Sequence, residues 1–212
     1  TLFGYVGPFS GGRSRFEIAP AVGSWRFTEA TADWRHYFFA RPFTLAVRGL
    51  FFGRMGRDGE RFPSFLGSTE LIRGYTAGSF RSNECVAAVS AQSLTGCAEL
   101  DQLIGSRIAV GNIELRFPLT RSLVFGFAPV GLPPVEGAFF YDIGMAWDAG
   151  SVIKWNRGAS ESPDFVRTPL RSYGASIRAN LLGFVILRVD FTKPLDRPNR
   201  HPYWTLSLGP TF

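Results

Sequence analysis

Residues 171–181 read Arg-Ser-Tyr-Gly-Ala-Ser-Ile-Arg-Ala-Asn-Leu. Tyr173, Ala175, Ile177, Ala179 and Leu181 are apolar, whereas Ser172, Gly174, Ser176, Arg178 and Asn180 are small or polar. Successive side chains of a strand point to opposite faces, so this alternation describes a β-strand with one greasy and one wet face. The pattern extends in both directions. After Leu182-Gly183, residues 184–192 alternate Val185, Leu187, Val189 and Phe191 with Arg188, Asp190 and Thr192. Residues 203–212 set Trp204, Leu206, Leu208 and Phe212 against Thr205, Ser207, Gly209 and Thr211. Upstream, residues 108–120 alternate Ile113, Leu115 and Phe117 with Asn112, Glu114 and Arg116. Residues 135–147 alternate Phe139, Tyr141, Ile143, Met145 and Trp147 with Glu136, Phe140, Asp142 and Gly144. Three further segments, 13–25, 26–40 and 42–55, carry Phe on both faces, and residues 2–9 read as the end of another strand. Helical periodicity of useful length is absent, apart from a weak stretch near 98–104.

This gives about eight strands, each near the roughly 9–11 residues that cross a bilayer when tilted. A soluble antiparallel sandwich also alternates, with its core face apolar. Two features weigh against it. Glu114, Arg116, Arg178, Arg188 and Asp190 stand mid-strand on the wet face, where a barrel lumen would hold them. Trp25, Trp34, Tyr37, Tyr141, Trp147, Trp155, Tyr203, Trp204 and Phe212 cluster near segment ends, as in interfacial girdles. The expected fold is all-β: an antiparallel transmembrane β-barrel region over residues 1–212, interrupted by one long inserted loop at about 57–106. Short turns on one side and a long loop on the other fit an outer-membrane barrel, and a loop of that length is normally functional.

Composition agrees. The 212 residues are 45% apolar and 19% charged, so the chain is no disordered tail, and no run approaches the 18 apolar residues of a membrane helix. A mean hydropathy of +0.05 does not exclude a barrel, whose apolar half is hidden in alternation. The net charge of +6 comes mostly from Arg, with Lys only at Lys154 and Lys193. The arginines are scattered rather than gathered on one face, so nucleic acid is not an expected partner. A pore interior, or outer-membrane lipid and lipopolysaccharide, suits them better. Cys85 and Cys97 share one polar segment. A disulfide between them would be worth roughly 3 kcal/mol in loop entropy and would suit an oxidising, extracytoplasmic place. Residues 1–9 lack a basic start followed by a long apolar run, so an exported protein would begin here at a mature or incomplete N-terminus.

Four motifs stand in order. Residues 71–75 read Leu-Ile-Arg-Gly-Tyr, residues 112–119 Asn-Ile-Glu-Leu-Arg-Phe-Pro-Leu, residues 137–144 Gly-Ala-Phe-Phe-Tyr-Asp-Ile-Gly, and residues 187–195 Leu-Arg-Val-Asp-Phe-Thr-Lys-Pro-Leu. Together they resemble the C-terminal barrel region of the BamA and two-partner-secretion transporter superfamily, also called the bacterial surface antigen family. That family's loop tip reads V/I-R-G-F/Y, here Ile72-Arg73-Gly74-Tyr75. Its next strand carries N-x-E, here Asn112 and Glu114, and the one after it F-x-D-x-G, here Phe140, Asp142 and Gly144. Phe65-Leu66-Gly67 ahead of the loop tip is most similar to surface-antigen barrels attached to propeller-like domains.

The resemblance implies a barrel of sixteen strands in the bacterial outer membrane, of which these would be the C-terminal half. It implies a loop folded into the lumen, its Arg73 paired with Asp142 and with Glu114, Gly74 turning the tip and Tyr75 packing on the inner wall. It implies that Trp204, Leu206, Leu208 and a terminal Phe212 form the signal read by the outer-membrane insertion machinery. With about eight strands present, the chain is expected to belong to a longer protein with periplasmic domains, or to find other subunits that complete the barrel. The implied function is protein assembly or polypeptide translocation. A structural anchor for a larger assembly and a small-solute pore are the alternatives.

Chemistry of another kind finds little support. His36 and His201 lie in different segments without ligand spacing, so no metal site is expected. No nucleophile elbow with a downstream triad occurs, and glycines 7–12 follow no strand–helix context that would cradle phosphate. Glu114 and Asp142 could imitate a hydrolytic pair, but Arg73 accounts for both charges. No enzyme activity and no cofactor are expected.

Overall fold

The computed structural model describes residues 6–85, 94–120, 134–156, 158, 161, 166–181 and 185–209. Among them run eight long strands: β1 (Gly11–Ala21), β2 (Phe27–Ala40), β3 (Phe43–Met55), β4 (Arg107–Thr120), β5 (Val135–Trp147), β6 (Leu170–Leu181), β7 (Val185–Pro194) and β8 (Tyr203–Leu208). They form one antiparallel sheet in sequence order, each hydrogen-bonded to the next. Such a meander follows from short, unknotted connections. The period-2 segments of the sequence become strands within a few residues of their expected bounds. The first strand stops at Ala21, before Gly23 (φ 144°), and the last runs through Tyr203–Leu208 to Gly209 (φ 149°), residues 210–212 of its expected span lying outside the described residues. Residues 6–9, part of the expected strand end at 2–9, are not in a strand, and the remainder of that segment lies outside the described residues.

Burial is inverted relative to a soluble sandwich. On β6, Arg178 is 0% exposed and its neighbour Ile177 is 48% exposed. The same holds along β4, where Asn112, Glu114 and Arg116 are buried while Ile113 and Leu115 are exposed. Phe16, Ile18, Trp34, Phe38, Phe43, Leu45, Phe139, Tyr173, Phe191, Trp204, Leu206 and Leu208 are also bare. Past β1, which is exposed on both faces, one face of the sheet is therefore apolar and uncovered, and the other is charged and covered. Trp34 and Tyr141 lie in the middle of β2 and β5, not near segment ends as expected. Both already fall near the centre of the sequence segments 26–40 and 135–147, so they do not belong to an interfacial girdle.

The cover comes from the described residues 56–85 and 94–106 of the segment that joins β3 to β4. Among the described residues they hold 3-10 turns at Gly59–Arg61, Ala77–Ser79 and Ser82–Glu84 and a two-residue bridge between Ser64–Phe65 and Ile104–Gly105. The weak helical stretch is one α-turn, Ala98–Asp101, whose Leu100 and Asp101 amides bond the Cys97 carbonyl. Closing about fifty residues costs about 3.5 kcal/mol by chain entropy, a modest sum that a few good contacts offset. Leu66, Ile72, Tyr75 and Leu103 supply them, packing with Ile108 and Val110 of β4, Ala146 of β5 and Leu170 of β6. Full burial of each large side chain is worth about 1.5–3 kcal/mol. Gly144 helps: a Cβ there would meet the Leu66 side chain at 3.1 Å.

Candidate functional site

Register brings four polar-face residues of β4 and β5 into a square. Asn112 stands opposite Asp142, and Glu114 opposite Phe140. The two carboxylates are therefore diagonal, with Asn112 and Phe140 at the other two corners. Arg73 sits on this square. Its Nε donates to Asp142 Oδ2 and its Nη2 to Asp142 Oδ1, both at 2.7 Å, while its Nη1 donates to Glu114 Oε1 at 2.7 Å. The guanidinium carbon lies 3.5 Å from the centre of the Phe140 ring. A planar fork that grips one carboxylate with two donors, reaches a second with another and rests on an aromatic face is a geometry lysine cannot copy. The Arg73 backbone N–H also donates to Asp142 Oδ2 at 3.2 Å. Asn112 Nδ2 joins wall and loop, donating to Asp142 Oδ1 and to the Leu71 carbonyl, each at 2.9 Å.

Arg73, Glu114 and Asp142 are all 2% exposed or less. Burial, the largest influence on Arg73, opposes its charged form, but Asp142 and Glu114 outweigh it and raise the guanidinium above its ordinary range. Arg73 thus stays cationic at every pH the fold tolerates.

Gly74 follows with φ 91°, and a Cβ there would meet Thr192 Cγ2 of β7 at 2.9 Å. Backbone angle and close approach both demand glycine. Gly74→Ala is expected to cost about 1–3 kcal/mol, read as a lower urea midpoint of the folded protein. Tyr75 is buried; its OH donates to the Arg171 carbonyl at 2.8 Å and accepts from the Asp196 N–H at 3.1 Å. Burial raises this phenol, which stays neutral and able to do both. Tyr75→Phe is expected to lose about 1–2 kcal/mol, measured in the same unfolding experiment.

Sequence reasoning missed several residues around this site. Glu114 is not answered by Arg73 alone: Arg178 Nη2 and Arg116 Nε reach its Oε2 at 2.6 and 2.9 Å. Arg178 and Arg116 also flank Glu136, at 3.6 and 4.0 Å. Two wall arginines hold the loop by its carbonyls: Arg48 of β3 donates to Glu70 O and Arg188 of β7 to Thr69 O, each at 2.9 Å. Arg116, Arg178 and Arg188 were visible as mid-strand charges, but their partners depend on register and on the returning loop. Arg48 was hidden by the Phe-rich alternation of its segment. Cys85 and Cys97 are joined in a disulfide. Trp204, Leu206 and Leu208 share the bare face of β8, and Phe212 lies outside the described residues.

A sheet bare on its apolar side and charged on its covered side, with a loop folded onto the charges, defines the wall of a membrane β-barrel. A family comparison matches residues 10–212 to the Omp85 superfamily domain, and the chain belongs to that superfamily. Its members are outer-membrane barrels of the protein insertion and translocation type. No curated protein matches the chain. The resemblance read from the four motifs thus holds at the level of the superfamily, as does the all-β, antiparallel, transmembrane barrel class.

Proposed function

We propose that this chain, as a single barrel region over residues 1–212, forms wall and plug of a bacterial outer-membrane barrel that assembles or translocates polypeptides. Residues 57–106 act as a lumenal loop, and the grip of Arg73 on Asp142 and Glu114 locks it. The single observation that carries this reading is the three charge-assisted contacts at 2.7 Å between a loop guanidinium and two wall carboxylates, all buried. A solvent-facing loop would have no use for a buried ion triad. Breaking it by removing one partner costs about 3–5 kcal/mol, so loss of the pair is expected to unseat the loop.

The wall is the C-terminal half of a sixteen-stranded barrel, completed by strands of the same polypeptide or of a partner subunit. Supporting this, β1 is exposed on both faces, although Arg13, Arg15 and Glu17 fall on the polar side that is buried further along the sheet. Trp204, Leu206, Leu208 and Phe212 serve as the mark read by the outer-membrane insertion machinery, with outer-membrane lipid and lipopolysaccharide around the apolar face.

The test is reconstitution of the native polypeptide into liposomes, with a urea-denatured eight-stranded outer-membrane barrel as the probe client. The wild type should speed folding of the probe, scored by its heat-modifiable migration. Asp142→Asn should insert equally well yet lose that acceleration. If neither protein accelerates folding, the chain is an anchor. Steady conductance in planar bilayers from the wild type would instead mark an open pore.

A further inference from the structure

Among the described residues, the apolar parity of the eight strands holds three that are Lys, Arg, Asp or Glu: Arg107, Arg171 and Lys193. All three are basic. Every Asp and Glu of the strands has the other parity, Glu114, Asp142 and Asp190 among them. The three cations share one rim. Arg107 opens β4, Arg171 is the second residue of β6, and Lys193 is the last but one of β7, so each stands at the end nearest the long connection between β3 and β4. At the opposite ends of these strands the same parity holds Leu119, Leu181 and Val185.

Register sets their surroundings. Tyr173 stands opposite Lys193 on one side and Tyr141 on the other, and both tyrosines are exposed. Arg171 is two residues from Tyr173 and so diagonal to Lys193, about 7–8 Å away across the strands. Arg107 stands opposite Trp147, whose ring centre is 6.2 Å from that of Phe51. A Cβ on Gly53 would meet Arg107 Cγ at 3.3 Å, so the arginine stem lies along the outer face beside that glycine. Asp196 accepts two donors of the Arg171 side chain, at 2.8 and 3.0 Å. Among the described residues no carboxylate pairs with Lys193 or Arg107, and Arg107 Nε has no hydrogen-bond partner. A cation on a lipid-facing strand is costly at the bilayer midplane and nearly free of cost at the interface, where its head reaches the headgroups. Cations gathered at one rim, with a single acid among them, leave their counter-charge to be supplied from outside the protein.

We propose that Arg107, Arg171 and Lys193, with the hydroxyls of Tyr141 and Tyr173, form a belt that binds the phosphates of lipid A in the leaflet on the loop side. This rests on the outer-membrane reading above and adds to it a lipid class and the residues that take it. Phosphate presents several acceptor oxygens, and guanidinium, ammonium and phenol supply the donors. Width selects the lipid. β4 and β7 are three strands apart, about 14 Å across the sheet. A disaccharide headgroup with two phosphates reaches across that width, whereas a headgroup with one phosphate meets one end of it.

The experiment is mass spectrometry of intact lipid complexes of the native polypeptide in detergent micelles. The probes are bis-phosphorylated lipid A, the same lipid stripped of phosphate, and phosphatidylglycerol. Wild type should bind lipid A about twenty-five-fold more tightly than the stripped lipid, because each unanswered cation near a phosphate surface is worth about fivefold. Lys193→Gln and Arg107→Gln should each weaken lipid A binding about fivefold, and the double change should bring it to the level of the stripped lipid. Lys154→Gln removes an exposed loop cation paired with Glu161 and should change nothing, which separates the belt from net charge. Heat-modifiable migration reports whether each variant is folded; should Arg107→Gln fail to fold, Lys193→Gln carries the test. Equal binding of lipid A and the stripped lipid by wild type would overturn the proposal. So would a loss in Lys154→Gln equal to that in Lys193→Gln, or phosphatidylglycerol bound as tightly as lipid A. Phosphate-dependent binding by a protein that does not fold the probe client would sink the assembly reading and leave the belt, and client folding without a phosphate preference would do the reverse.

Discussion

Arg73→Ala is expected to leave the protein able to insert but with its loop unseated and its folded state weakened by about 3–5 kcal/mol. The loss falls unevenly. Glu114 keeps Arg116 and Arg178. Asp142 keeps Asn112 and the backbone N–H of residue 73, and loses both side-chain donors of the fork. A carboxylate left enclosed with neutral donors is the main source of the cost. Arg73→Lys should recover only part of it, since one ammonium cannot grip Asp142 twice, reach Glu114 and lie flat on Phe140 together. The measurements are urea unfolding followed by heat-modifiable migration, and protease cleavage within residues 76–84. A variant with wild-type stability and a protected loop would show that the seat is maintained by apolar packing of Leu66, Ile72 and Tyr75 instead.

Ile113→Arg carries the next largest effect, about 2–4 kcal/mol against folding in a bilayer. Ile113 stands in the middle of β4 between Asn112 and Glu114, is 49% exposed, and has Val47 and Tyr141 beside it on the apolar face. On a water-facing surface the same change would be nearly neutral, within about 0.5 kcal/mol. The size of the effect therefore reports what the bare face touches. Folding yield into vesicles of stated lipid thickness gives the readout. A yield equal to wild type would place Ile113 in water and contradict the membrane orientation of the sheet.

Much of the fold was legible because β structure writes its two faces into every second residue. Residues 171–181 carry the whole argument: Ile177 bare and Arg178 enclosed follow from parity once lipid replaces the apolar core. Parity also placed Glu114 and Asp142 on one face of neighbouring strands. It could not say that they are diagonal, because that is set by a register in which Glu114 meets Phe140. Trp34 and Tyr141 were expected near segment ends although they stand at the centre of residues 26–40 and 135–147. Arg197 and Glu84, a buried ion pair, left no trace in the sequence. They sit in irregular connections, Leu-Asp-Arg-Pro-Asn and Arg-Ser-Asn-Glu-Cys, where no periodicity constrains direction. Their contact joins residues 113 apart and exists only once the loop has folded back. The motif at the loop tip was readable through family resemblance, whereas the carbonyl contacts of Arg48 and Arg188 needed the folded loop.

In the proposed barrel, the loop guanidinium of Arg73 stays held by the wall carboxylates of Asp142 and Glu114 within the membrane. This grip is tested most directly by solid-state NMR in lipid bilayers, on protein with nitrogen-15 arginine and carbon-13 aspartate and glutamate side chains. The Arg73 guanidinium resonance is identified as the one lost in Arg73→Lys. Strong dipolar coupling from that resonance to two carboxyl carbons, one abolished by Asp142→Asn and the other by Glu114→Gln, is the expected result. A motionally averaged guanidinium with no coupling to either carboxyl would contradict the account.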